Sequence, residues 1–600
     1  MAEYRAPAAF EIPEQRNASD VLFDIVDKTP NKTIFRRQSG NDWLPVKAAD
    51  VGAQVTALAK GLIASGVQAG DRVALVSATR LEWVLLDFAI WSAGAISVPI
   101  YDSSSAPQID WIMRDSGAKH VIVETPKHRA VIDEVEVIDG SVQVHQIDVP
   151  GEQGLIDLLI ERGVDVADDE VTARRRTLLA SSPATLIYTS GTTGRPKGCM
   201  LTHSNLLGEI AGVLQTSMST KLGDDKRLLL FLPMAHVLAR AINLVALEAG
   251  VEIGYTADIA NLLPTFAVFK PSLILSVPRV FEKVYNSARQ NAHDGGKGKI
   301  FDLAADVAVE YSTAMENGNV GFLLRAKHAI FDKLVYSKLR TALGGVCEMA
   351  ISGGAPLGAR LGHFFSGVGI PVYEGYGLTE TTAAIAVNTP GNVKVGTVGR
   401  PIPGNAVRIG SDGEILLSGE VVFTGYWKND EATAAAITDG WFHTGDLGTL
   451  DEDGFIRITG RKKEIIVTAG GKNVSPAPME DVIRASAIVS QAVVVGDQQP
   501  FIAALITIDP EAFPAWKTRN GKSADATVAD LATDPDLIAE VQASIDSANE
   551  TVSHAEAIKK FRILPADFTE DSGELTPTLK VKRNVVADKW AADIAKLYQK

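Results

Sequence analysis

The sequence has little cysteine and no long apolar run. Its 600 residues include two cysteines, Cys199 and Cys347, which cannot form a disulfide framework and are not spaced as metal ligands. No run of 18 apolar residues occurs, and acids and prolines interrupt the N-terminal twenty residues, where a signal peptide needs an apolar core. We therefore expect a protein of a reducing, cytosolic compartment that is neither exported nor membrane-spanning.

The sequence also lacks an excess of positive charge. Its 58 lysines and arginines stand against 73 acids, a formal net charge of -15. Because phosphate backbones attract basic surfaces, this balance argues against nucleic acid as a partner. Contact of a local patch with the inner face of a membrane remains open, as does a homodimer.

The composition is that of a soluble α/β protein of more than one domain. Hydrophobic residues make up 46% and charged residues 22% of the chain. A chain of 600 residues exceeds the size at which one hydrophobic core stops growing. We therefore expect at least two domains and little disorder.

Alternating patterns in the first third of the chain predict a mostly parallel sheet with covering helices. The segment "DRVALVSATRLEWVLLDFAIWSAGAISVPIY" predicts a strand, an amphipathic helix and a second strand that closes at Tyr101. A helix and a strand follow in "PQIDWIMRDSGAKHVIVE". In "ATLIYTSGTTG" a strand runs into a glycine-rich loop, which places the loop where open α/β sheets bind ligands.

The later parts of the chain carry different patterns. Apolar residues at helical spacing, with little glycine or proline, predict a helical insert at about 298–343. Then "EILLSG", "GYW" and "GFIRITG" predict short antiparallel strands with a turn at Asp453-Gly454. The acids of "DEDG" lack the later ligands of a calcium loop, so we interpret them as an ordinary hairpin turn.

A second domain is predicted to begin near Arg461. The segment "KEIIVTAGGKNVSPAPMEDVIRAS" predicts a strand, a glycine turn and a helix capped by Ser475, with Pro476 at its first position. Two more apolar strands, "QAVVVGD" and "FIAALITID", follow.

The loop "YTSGTTGRPKG", Tyr188 to Gly198, combines phosphate-binding chemistry with a failed Walker A pattern. Counted from Gly191, Lys197 stands at the Walker lysine, but Pro196 replaces the second glycine and Gly198 the magnesium-binding hydroxyl. Glycines let backbone amides approach phosphate oxygens, and hydroxyls add donors. The residues predicted to hold phosphate are Thr189, Ser190, Gly191, Thr192, Thr193, Gly194 and Lys197. Composition alone does not separate this site from a flexible surface turn.

The wider segment "YTSGTTGRPKGCMLTH" resembles the signature of the adenylate-forming superfamily, which includes acyl-CoA synthetases, peptide-synthetase adenylation domains and luciferases. The likeness runs from about Asp42 to Arg583. It implies a large adenylation domain, residues 1–460, with several subdomains, parallel sheets and a small β-structure. It also implies a small, mobile α+β C-terminal domain, residues 461–600. In such a protein the loop closes over the β and γ phosphates of ATP, and magnesium is held elsewhere.

The segment "YEGYGLTE", Tyr373 to Glu380, resembles the family's nucleotide motif. The resemblance makes Glu380 the carboxylate for Mg²⁺, Thr379 the hydroxyl for the α phosphate, and Tyr376 the ring on which adenine stacks. With "ISGGAPL" it implies an adenine wall made of Gly353, Gly354, Ala355, Glu374, Gly375 and Gly377.

Two further segments match the junction between the family's domains. In "GWFHTGDLG", Asp446 can accept both ribose hydroxyls because an ionised carboxylate offers two acceptor oxygens. In "ITGRKKEII", Arg461 corresponds to a residue at the ribose or phosphate edge. Lys463 falls at the family's hinge, where a few residues absorb the rotation of the small domain.

The tail "GELTPTLKVKR" carries the predicted catalytic lysine. The resemblance makes Lys580 the lysine that reaches the substrate carboxylate and the α phosphate, where it stabilises developing negative charge. Most family members have S-G-K here, whereas this chain has Thr578-Leu579-Lys580. Lys582 stays a lesser candidate, since strand periodicity would put both lysines on one face.

The segment "FLPMAHVLAR" matches the family's acyl pocket. The resemblance places His236 in the wall of that pocket and suggests that Arg240 gates the acyl tunnel. "SVPRVFEKVYN" and "DKLVYSKLRTALGG" are similar to the long-chain and bubblegum-type acyl-CoA synthetases in particular.

The resemblance implies a long-chain fatty acid CoA ligase that uses ATP, Mg²⁺ and coenzyme A. A fatty acid would first form acyl-AMP and diphosphate, and coenzyme A would then take the acyl group and release AMP. One alternative is a fatty acyl-AMP ligase that loads a carrier protein. Another is a catalytically silent nucleotide-binding regulator. A P-loop kinase or ATPase is disfavoured by Pro196 and Gly198.

Overall fold

The computed structural model describes residues 2–138, 140–189, 195–576 and 579–599. The strands of these residues are β1 (Glu3–Ala6), β2 (Thr33–Ser39), β3 (Asp42–Lys47), β4 (Arg72–Val76), β5 (Ile96–Ile100), β6 (His120–Val123), β7 (Gln143–Gln146), β8 (Pro183–Thr189), β9 (Lys197–Thr202), β10 (Arg227–Leu230), β11 (Glu252–Tyr255), β12 (Leu273–Ser276), β13 (Met349–Ser352), β14 (Val372–Tyr376), β15 (Ala386–Val387), β16 (Arg400–Pro401), β17 (Asn405–Ile409), β18 (Glu414–Gly419), β19 (Gly425–Tyr426), β20 (Ile437–Thr438), β21 (Trp441–Leu450), β22 (Ile456–Arg461), β23 (Ile466–Val467), β24 (Asn473–Val474), β25 (Val489–Val495), β26 (Ile502–Ile508) and β27 (Ile558–Ile563).

The α-helices of the same residues are α1 (Asp20–Lys28), α2 (Ala48–Ala64), α3 (Leu81–Ser92), α4 (Ala106–Ser116), α5 (Pro126–Asp133), α6 (Leu155–Arg162), α7 (Asp168–Arg176), α8 (His203–Leu214), α9 (Val237–Glu248), α10 (Leu262–Phe269), α11 (Pro278–Asp294), α12 (Gly298–Glu316), α13 (Phe322–Phe331), α14 (Ser337–Ala342), α15 (Ala359–Val368), α16 (Asp430–Ala436), α17 (Ala477–Arg484), α18 (Phe513–Arg519), α19 (Val528–Leu531), α20 (Pro535–Asn549), α21 (Arg583–Lys589) and α22 (Ala591–Tyr598). Short 3-10 helices cover Ser217–Lys221, Thr379–Thr381 and Lys462–Glu464, and a π-helical turn, Asp332–Tyr336, joins α13 to α14.

Two large sheets carry most of the chain up to β16. One has the order β19-β9-β8-β5-β4-β6-β7, in which β8 through β7 are parallel and β9 and β19 are antiparallel additions. The other has the order β16-β15-β14-β13-β12-β10-β11-β2-β3, with a parallel centre from β14 to β2. The predicted α/β fold with parallel sheets is confirmed.

Local sequence explains why these elements begin and end where they do. Helix α4 starts after Ser105, whose backbone N–H donates to Oε1 of Gln108 at 2.9 Å. It ends at Gly117, which has φ of +66°, a left-handed conformation that glycine adopts without strain. The predicted strand, helix and strand ending near Tyr101 are β4, α3 and β5, and β4 and β5 are parallel neighbours.

The helix between those strands differs from the expected amphipathic one. Eleven of the twelve residues of α3 are buried, and it packs against α2 inside the large core. A helix that is apolar on all sides must be covered on all sides.

A small antiparallel sheet formed by β1, β17, β18, β20, β21 and β22 follows in the chain. Its β21–β22 hairpin turns on Asp451, whose Oδ1 accepts the backbone N–H groups of Asp453 and Phe455 at 3.0 and 2.9 Å. Gly454 has φ of +88°. The predicted hairpin turn at Asp453-Gly454 is therefore confirmed.

The segment predicted as a helical insert, about 298–343, is helical in the structure. Helices α12, α13 and α14 fill the region, and α12 packs on α15. The hydroxyl of Tyr336 donates to the carbonyl of Ala304 at 2.7 Å and so ties the π-helical turn to α12.

The apolar core divides between Ile456 and Ile466. One large buried cluster reaches from Ala18 to Ile456, with a smaller one under β4 to β6. The chain from Ile466 onward builds two clusters of its own on the faces of the β25-β26-β27 sheet. The C-terminal part therefore carries enough core to pack independently of the rest.

The start of the C-terminal part corrects the expected helix cap. Helix α17 begins at Ala477, after Pro476, and the hydroxyl of Ser475 does not cap it. That hydroxyl instead donates to the carbonyl of Thr459 in β22 at 2.7 Å. A serine hydroxyl can hydrogen-bond to a carbonyl of a neighbouring strand as well as to the backbone at a helix end, and the local sequence does not decide between these partners.

Ion pairs connect the C-terminal part to helix α11. Arg279 donates to Oδ2 of Asp509 at 2.7 Å and to Oγ of Ser490 at 3.2 Å. Nearer solvent, Nζ of Lys283 lies 2.7 Å from Oε1 of Glu511. These contacts hold the small domain against the large one in this arrangement.

Candidate active site

The phosphate loop connects two paired strands. Strands β8 and β9 form an antiparallel pair whose last register partners are Thr189 and Lys197. The predicted residues Ser190, Gly191, Thr192, Thr193 and Gly194 lie outside the described part of the chain. At the described ends, Oγ1 of Thr189 lies 3.8 Å from Sγ of Cys199, and Nζ of Lys197 lies 4.9 Å from the ring centroid of Tyr426.

The same tyrosine brings Glu380 to this loop. The hydroxyl of Tyr426 donates to Oε1 of Glu380 at 2.9 Å. Glu380 follows Thr379 in the short 3-10 helix, and both side chains are half-buried. The predicted phosphate cation and the predicted magnesium carboxylate therefore share one aromatic neighbour.

The donor set near Glu380 fits Mg²⁺ bound largely by its nucleotide. Glu380 is a hard carboxylate next to the phosphate loop, and the described residues contain no cluster of three or more His, Cys, Asp or Glu side chains that could hold a metal alone. Magnesium is commonly bound through one or two carboxylates, water and substrate phosphates. Glu380 can therefore serve as the protein ligand.

A strained turn fixes the position of this segment. Thr382 and Ala383 have φ of +59° and +125°, conformations that side-chain-bearing residues rarely adopt. The next backbone N–H, that of Ala384, donates to Oε1 of the fully buried Glu209 at 3.1 Å. Burial raises the pKa of Glu209 well above its ordinary value, which favours the neutral carboxyl.

The predicted adenine wall lies at the ends of neighbouring parallel strands. Ser352 of β13 pairs with Glu374 of β14, and the segment 353–357 continues beyond β13. Oε2 of the buried Glu374 accepts the backbone N–H of Leu357 at 3.0 Å, which joins the two predicted segments. Gly354 has φ of +84°. A side chain at Gly377 would place its Cβ 1.4 Å from the carbonyl oxygen of Ala383, so only glycine fits there.

Tyr376, Asp446 and Arg461 form one hydrogen-bonded group. The hydroxyl of Tyr376 donates to Oδ2 of Asp446 at 2.6 Å, and Nε of Arg461 donates to Oδ1 at 2.6 Å. Asp446 is buried, and it and Arg461 are register partners in β21 and β22. Burial and the Asp446 charge raise the pKa of Tyr376 well above its ordinary value.

Lys580 lies in the cleft between the two domains, where its positive charge is close enough to lower the pKa of His236 in the large domain. Burial and the nearby charge of Lys580 lower the pKa of His236 to about 3, so the imidazole is neutral at pH 7. The Lys580 side chain retains solvent exposure, yet removal of bulk water in the cleft, with the charge of Arg461, lowers the pKa of its ammonium. Asp446 opposes that shift. The structure thus brings together the predicted lysine, histidine, aspartate and arginine.

His236 is held by the helix it begins. Its Nδ1 accepts the backbone N–H of Leu238 at 3.1 Å and caps α9. Since Nδ1 accepts, the proton of the neutral ring belongs on Nε2.

The backbone at Lys580 belongs to a short antiparallel pairing: Leu575 bridges Val581, and Lys582 N–H donates to the carbonyl of Glu574 at 2.7 Å. Thr576 N–H donates to the carbonyl of Lys580 at 2.8 Å, and Lys580 N–H donates back to Oγ1 of Thr576 at 3.0 Å. Leu579 has φ of +60°. Lys582 stands just before α21. Lys580 and Lys582 flank the bridged Val581, which agrees with the strand periodicity that places both lysines on one face.

Arg240 occupies a different environment from the expected tunnel gate. It is 1% exposed, and its Nε and Nη2 donate to the two carboxylate oxygens of Asp87 at 2.9 and 2.6 Å. Nη1 and Nη2 also donate to the hydroxyls of Thr185 and Ser97, each at 2.6 Å. To move as a gate, this guanidinium would have to break all of these buried hydrogen bonds. It cross-links α9, α3, β5 and β8, which corrects the gate expectation.

The hinge candidate Lys463 is exposed in the short 3-10 helix after β22. It lies between Ile456, the last residue of the large core, and Ile466, the first of the small one.

Two residues of the candidate site, Tyr426 and Glu209, were not predicted from the sequence. Tyr426 was visible in "GYW" as part of a short strand, and that strand does pair with β9 beside the phosphate loop. Glu209 lies in the otherwise apolar helix α8. A single acid among buried apolar positions is the signal that could have found it.

A comparison with protein-family models decides the identity of the fold. Residues 22–427 match the family described as AMP-binding enzyme, and residues 463–600 match the AMP-binding enzyme C-terminal domain. The chain belongs to the AMP-binding enzyme family. The adenylate-forming resemblance is thereby confirmed.

Relatives and structures agree with this AMP-binding enzyme assignment. The chain is 58% identical to Long-chain-fatty-acid–CoA ligase FadD15 of Mycobacterium bovis, over 100% of both chains. It is 30% identical to Long-chain-fatty-acid–CoA ligase ACSBG1 of Mus musculus, over 96% of this chain and 85% of the relative. The adenylation domain of a carboxylate reductase from Mycobacterium chelonae has the same fold, with a TM-score of 0.73 at 21% identity, over 97% of this chain and 91% of that one.

One further property of this AMP-binding enzyme concerns membranes. Within the described ranges, no helix is both long enough and apolar enough to cross a bilayer.

Proposed function

We propose that this protein is an ATP-dependent long-chain fatty acid CoA ligase. It converts ATP, a fatty acid and coenzyme A into acyl-CoA, AMP and diphosphate through an acyl-adenylate. The observation that carries the proposal is the convergence of Lys580, His236 and the Asp446–Arg461 pair on one cleft of an AMP-binding fold. The 58% identity to a long-chain ligase over the whole chain supports the substrate class.

In the first half-reaction, an oxygen of the fatty carboxylate attacks the α phosphorus of ATP, and the bond to the β-phosphate oxygen breaks. The Lys580 ammonium and the Thr379 hydroxyl stabilise the charge that gathers on the α-phosphate oxygens. Lys197, Thr189 and the loop between them hold the departing phosphates. Neutral His236 lines the acyl side, where a charged ring would compete with Lys580 for the carboxylate.

Asp446 and Arg461 hold the ribose, and the adenine wall of Gly353–Ala355 and Glu374–Gly377 holds the base. In the structure the Asp446 oxygens accept from Tyr376 and Arg461. A carboxylate oxygen has capacity for more than one donor, so ribose hydroxyls can add to these bonds. Tyr376 keeps its ring next to the base and its hydroxyl on Asp446.

Glu380 is the proposed protein ligand of Mg²⁺. When bound, the ion would neutralise charge on the β and γ phosphates. The bond from Tyr426 orients the Glu380 carboxylate toward the phosphate loop.

In the second half-reaction, the thiol of coenzyme A loses its proton to solvent, its sulfur attacks the acyl carbon, and the bond from that carbon to the phosphate oxygen breaks to release AMP. We propose that the C-terminal domain beyond Lys463 rotates about that residue between the two steps and withdraws Lys580, while Arg461 stays with Asp446. The separate cores on either side of Lys463 support this division into domains 1–460 and 461–600. A cytosolic location and contact with the inner membrane face belong to the same proposal, which leaves a homodimer open.

A ligation assay tests the function directly. Purified protein receives ATP, Mg²⁺, coenzyme A and saturated acids of increasing chain length, and acyl-CoA, acyl-AMP and AMP are measured by mass spectrometry. We expect acyl-CoA and AMP in equal amounts, with long-chain acids preferred. Persistent acyl-AMP without acyl-CoA would instead identify a carrier-loading ligase, and absence of acid-dependent ATP cleavage would identify a silent regulator.

A further inference from the structure

Helix α13 and its π-helical continuation present a strongly apolar surface to solvent. Phe322 is 88% exposed, Leu323 68%, Ile330 58% and Leu334 51%. Leu323, Ile330 and Leu334 are seven and four residues apart, so they line one face of the helix. We call Phe322, Leu323, Ile330 and Leu334 the insert patch. Large apolar side chains grouped this way mark an interaction surface rather than scattered surface residues.

The opposite face of the same helix is firmly packed. His328 stacks on Tyr311 with ring centroids 3.8 Å apart, and its Nε2 lies 2.7 Å from the carbonyl oxygen of Gly367. Farther along, Arg340 donates to the carbonyl of Val368 at 2.7 Å. The insert patch is therefore the outer side of a fixed helix, and its exposure does not come from a helix that has lost its partner.

The charge of the segment that carries the insert patch opposes that of the whole protein. Residues 319–346 contain five lysines and arginines and one acid, in a chain with a net charge of -15. The acid, Asp332, is paired with Arg340 at 2.7 Å. Lys327, Lys333 and Lys338 are exposed, and none of them pairs with a carboxylate of the described residues.

These lysines flank the apolar stripe. At 100° per residue, Lys333 falls on one side of the Leu323–Ile330 stripe and Lys327 on the other. An apolar face bordered by lysines is the pattern of a helix that lies in the interface of an anionic bilayer, with its apolar side chains among the acyl chains and its ammonium groups among the phosphates.

We propose that the insert patch and its flanking lysines dock this protein on the surface of an anionic lipid membrane. Charge complementarity selects this occupant: a symmetric pairing of two copies through the same patch would oppose lysine to lysine. Only the reason for docking rests on the proposed function: a long-chain acid resides in lipid, so the enzyme would meet its substrate at the membrane. The insert contacts Gly367 near the end of helix α15, and the Gly353–Ala355 part of the predicted adenine wall precedes the start of that helix at Ala359, so one ten-residue helix connects the two.

Vesicle binding of the full-length protein, without substrates, tests the proposal. Sedimentation with sucrose-loaded vesicles of phosphatidylglycerol and phosphatidylcholine, and with phosphatidylcholine alone, gives the partition coefficients. We expect binding to the anionic vesicles that weakens with salt, and much weaker binding to the neutral ones. Equal binding to both vesicle types, or to neither, would overturn the proposal.

Two variants separate the apolar and charged contributions. L323Q/I330Q/L334Q should lower partition onto anionic vesicles about tenfold or more, because the inserted area is lost. K327Q/K333Q/K338Q should lower it by about 100-fold and flatten the salt dependence. The matched control L44Q/V164Q/I259Q changes apolar residues that are 51%, 73% and 53% exposed elsewhere, and it should bind as the unaltered protein does. Binding by the two patch variants equal to that of the control would contradict the proposal.

Two further readouts separate membrane docking from catalysis and from self-association. All variants should ligate a water-soluble medium-chain acid at the unaltered rate, because the insert patch lies outside the catalytic groups. Loss of ligation by the unaltered protein would refute the proposed function without touching vesicle binding. Light scattering after gel filtration gives the oligomeric state: a dimer that L323Q/I330Q/L334Q converts to a monomer, without vesicle binding, would make the patch a self-association surface and overturn membrane docking.

Discussion

Asp446 and Lys580 lie at the same cleft, but different parts of the fold hold them there. Asp446 is 4% exposed, sits in a strand of the small antiparallel sheet, and accepts bonds from Tyr376 and Arg461. Lys580 directly follows a tight turn of the C-terminal domain, whose clusters of buried residues contain no residue before Ile466 in the described chain. The groups proposed to bind the nucleotide thus belong to the large domain, while the proposed catalytic charge belongs to the C-terminal domain.

This difference matches two half-reactions with different needs. The AMP moiety must stay bound through both, so its site gains from rigid, buried partners. The charge that stabilises the α phosphate is needed only in the first, so it can leave with its domain. Arg279–Asp509 and Lys283–Glu511 are the ion pairs that would have to break.

Removal of the Lys580 ammonium should have the largest effect and separate the two regions. Lys580→Ala should slow fatty-acid-dependent ATP/diphosphate exchange by roughly 10²- to 10³-fold, because developing charge loses its counter-charge. Thioester formation from supplied acyl-AMP should change by less than about threefold. Lys582→Ala, in the same loop, should leave both intact. An equal fall of both half-reactions in Lys580→Ala would refute the role given to Lys580.

The fixed region should behave in the opposite way. Asp446→Ala should reduce both half-reactions, each by roughly 10- to 100-fold in kcat/KM for its nucleotide substrate, because the ribose is bound in both. Steady-state kinetics with ATP, and with acyl-AMP, measure this. Asp453→Ala, on the exposed hairpin turn, serves as the control. A loss confined to adenylation would mean that Asp446 does not hold the ribose.

Restricting the hinge should impair the second half-reaction. Lys463→Pro fixes φ at about -65°, so we expect thioester formation from acyl-AMP to fall roughly tenfold, with ATP/diphosphate exchange nearly unchanged. Lys463→Ala, which leaves φ free, should affect neither. Thioester synthesis at the unaltered rate in Lys463→Pro would exclude rotation at this residue.

Weakening the interdomain contact should have the smallest effect. Arg279→Gln loses the charge partner of Asp509, whose exposed fraction is only 10%, so the arrangement with Lys580 in the cleft becomes less populated. Exchange should slow about two- to fivefold, while thioester formation holds or rises. Arg129→Gln, which alters an exposed pair far from the domain boundary, is the control. Slower thioester formation with unchanged ATP/diphosphate exchange would mean that the arrangement with Lys580 in the cleft serves the second half-reaction and not the first.

The sequence predicts the parts of this picture that depend on neighbours in the chain. The alternation that produces β4, α3 and β5, and the turn at Asp453-Gly454, arise from apolar spacing and glycine placement. The resemblance then supplied residues, such as Asp446 and Lys580, that lie far apart in sequence and that local pattern cannot join.

What the sequence could not predict are contacts set by the assembled core. Asp87 and Arg240 are 153 positions apart, and their pairing exists only because α3 and α9 meet inside the protein; hence the arginine looked available as a gate. Leu579 adopts φ of +60°, a conformation that its side chain disfavours, so the residue type gives no signal for the turn just before Lys580. The Tyr426–Glu380 bond likewise depends on β19 joining β9.

Locking the two domains together tests the central claim most directly. Lys283→Cys/Glu511→Cys replaces an exposed ion pair, and the native Cys199 and Cys347 are buried, so a short thiol-reactive cross-linker, with a bridge that is cleaved without a thiol, should join the new cysteines selectively. We predict that the locked protein forms acyl-AMP at close to the unlocked rate and makes no acyl-CoA until the link is cleaved. Acyl-CoA formation at the same rate in locked and cleaved protein would contradict the delivery of Lys580 by a moving domain.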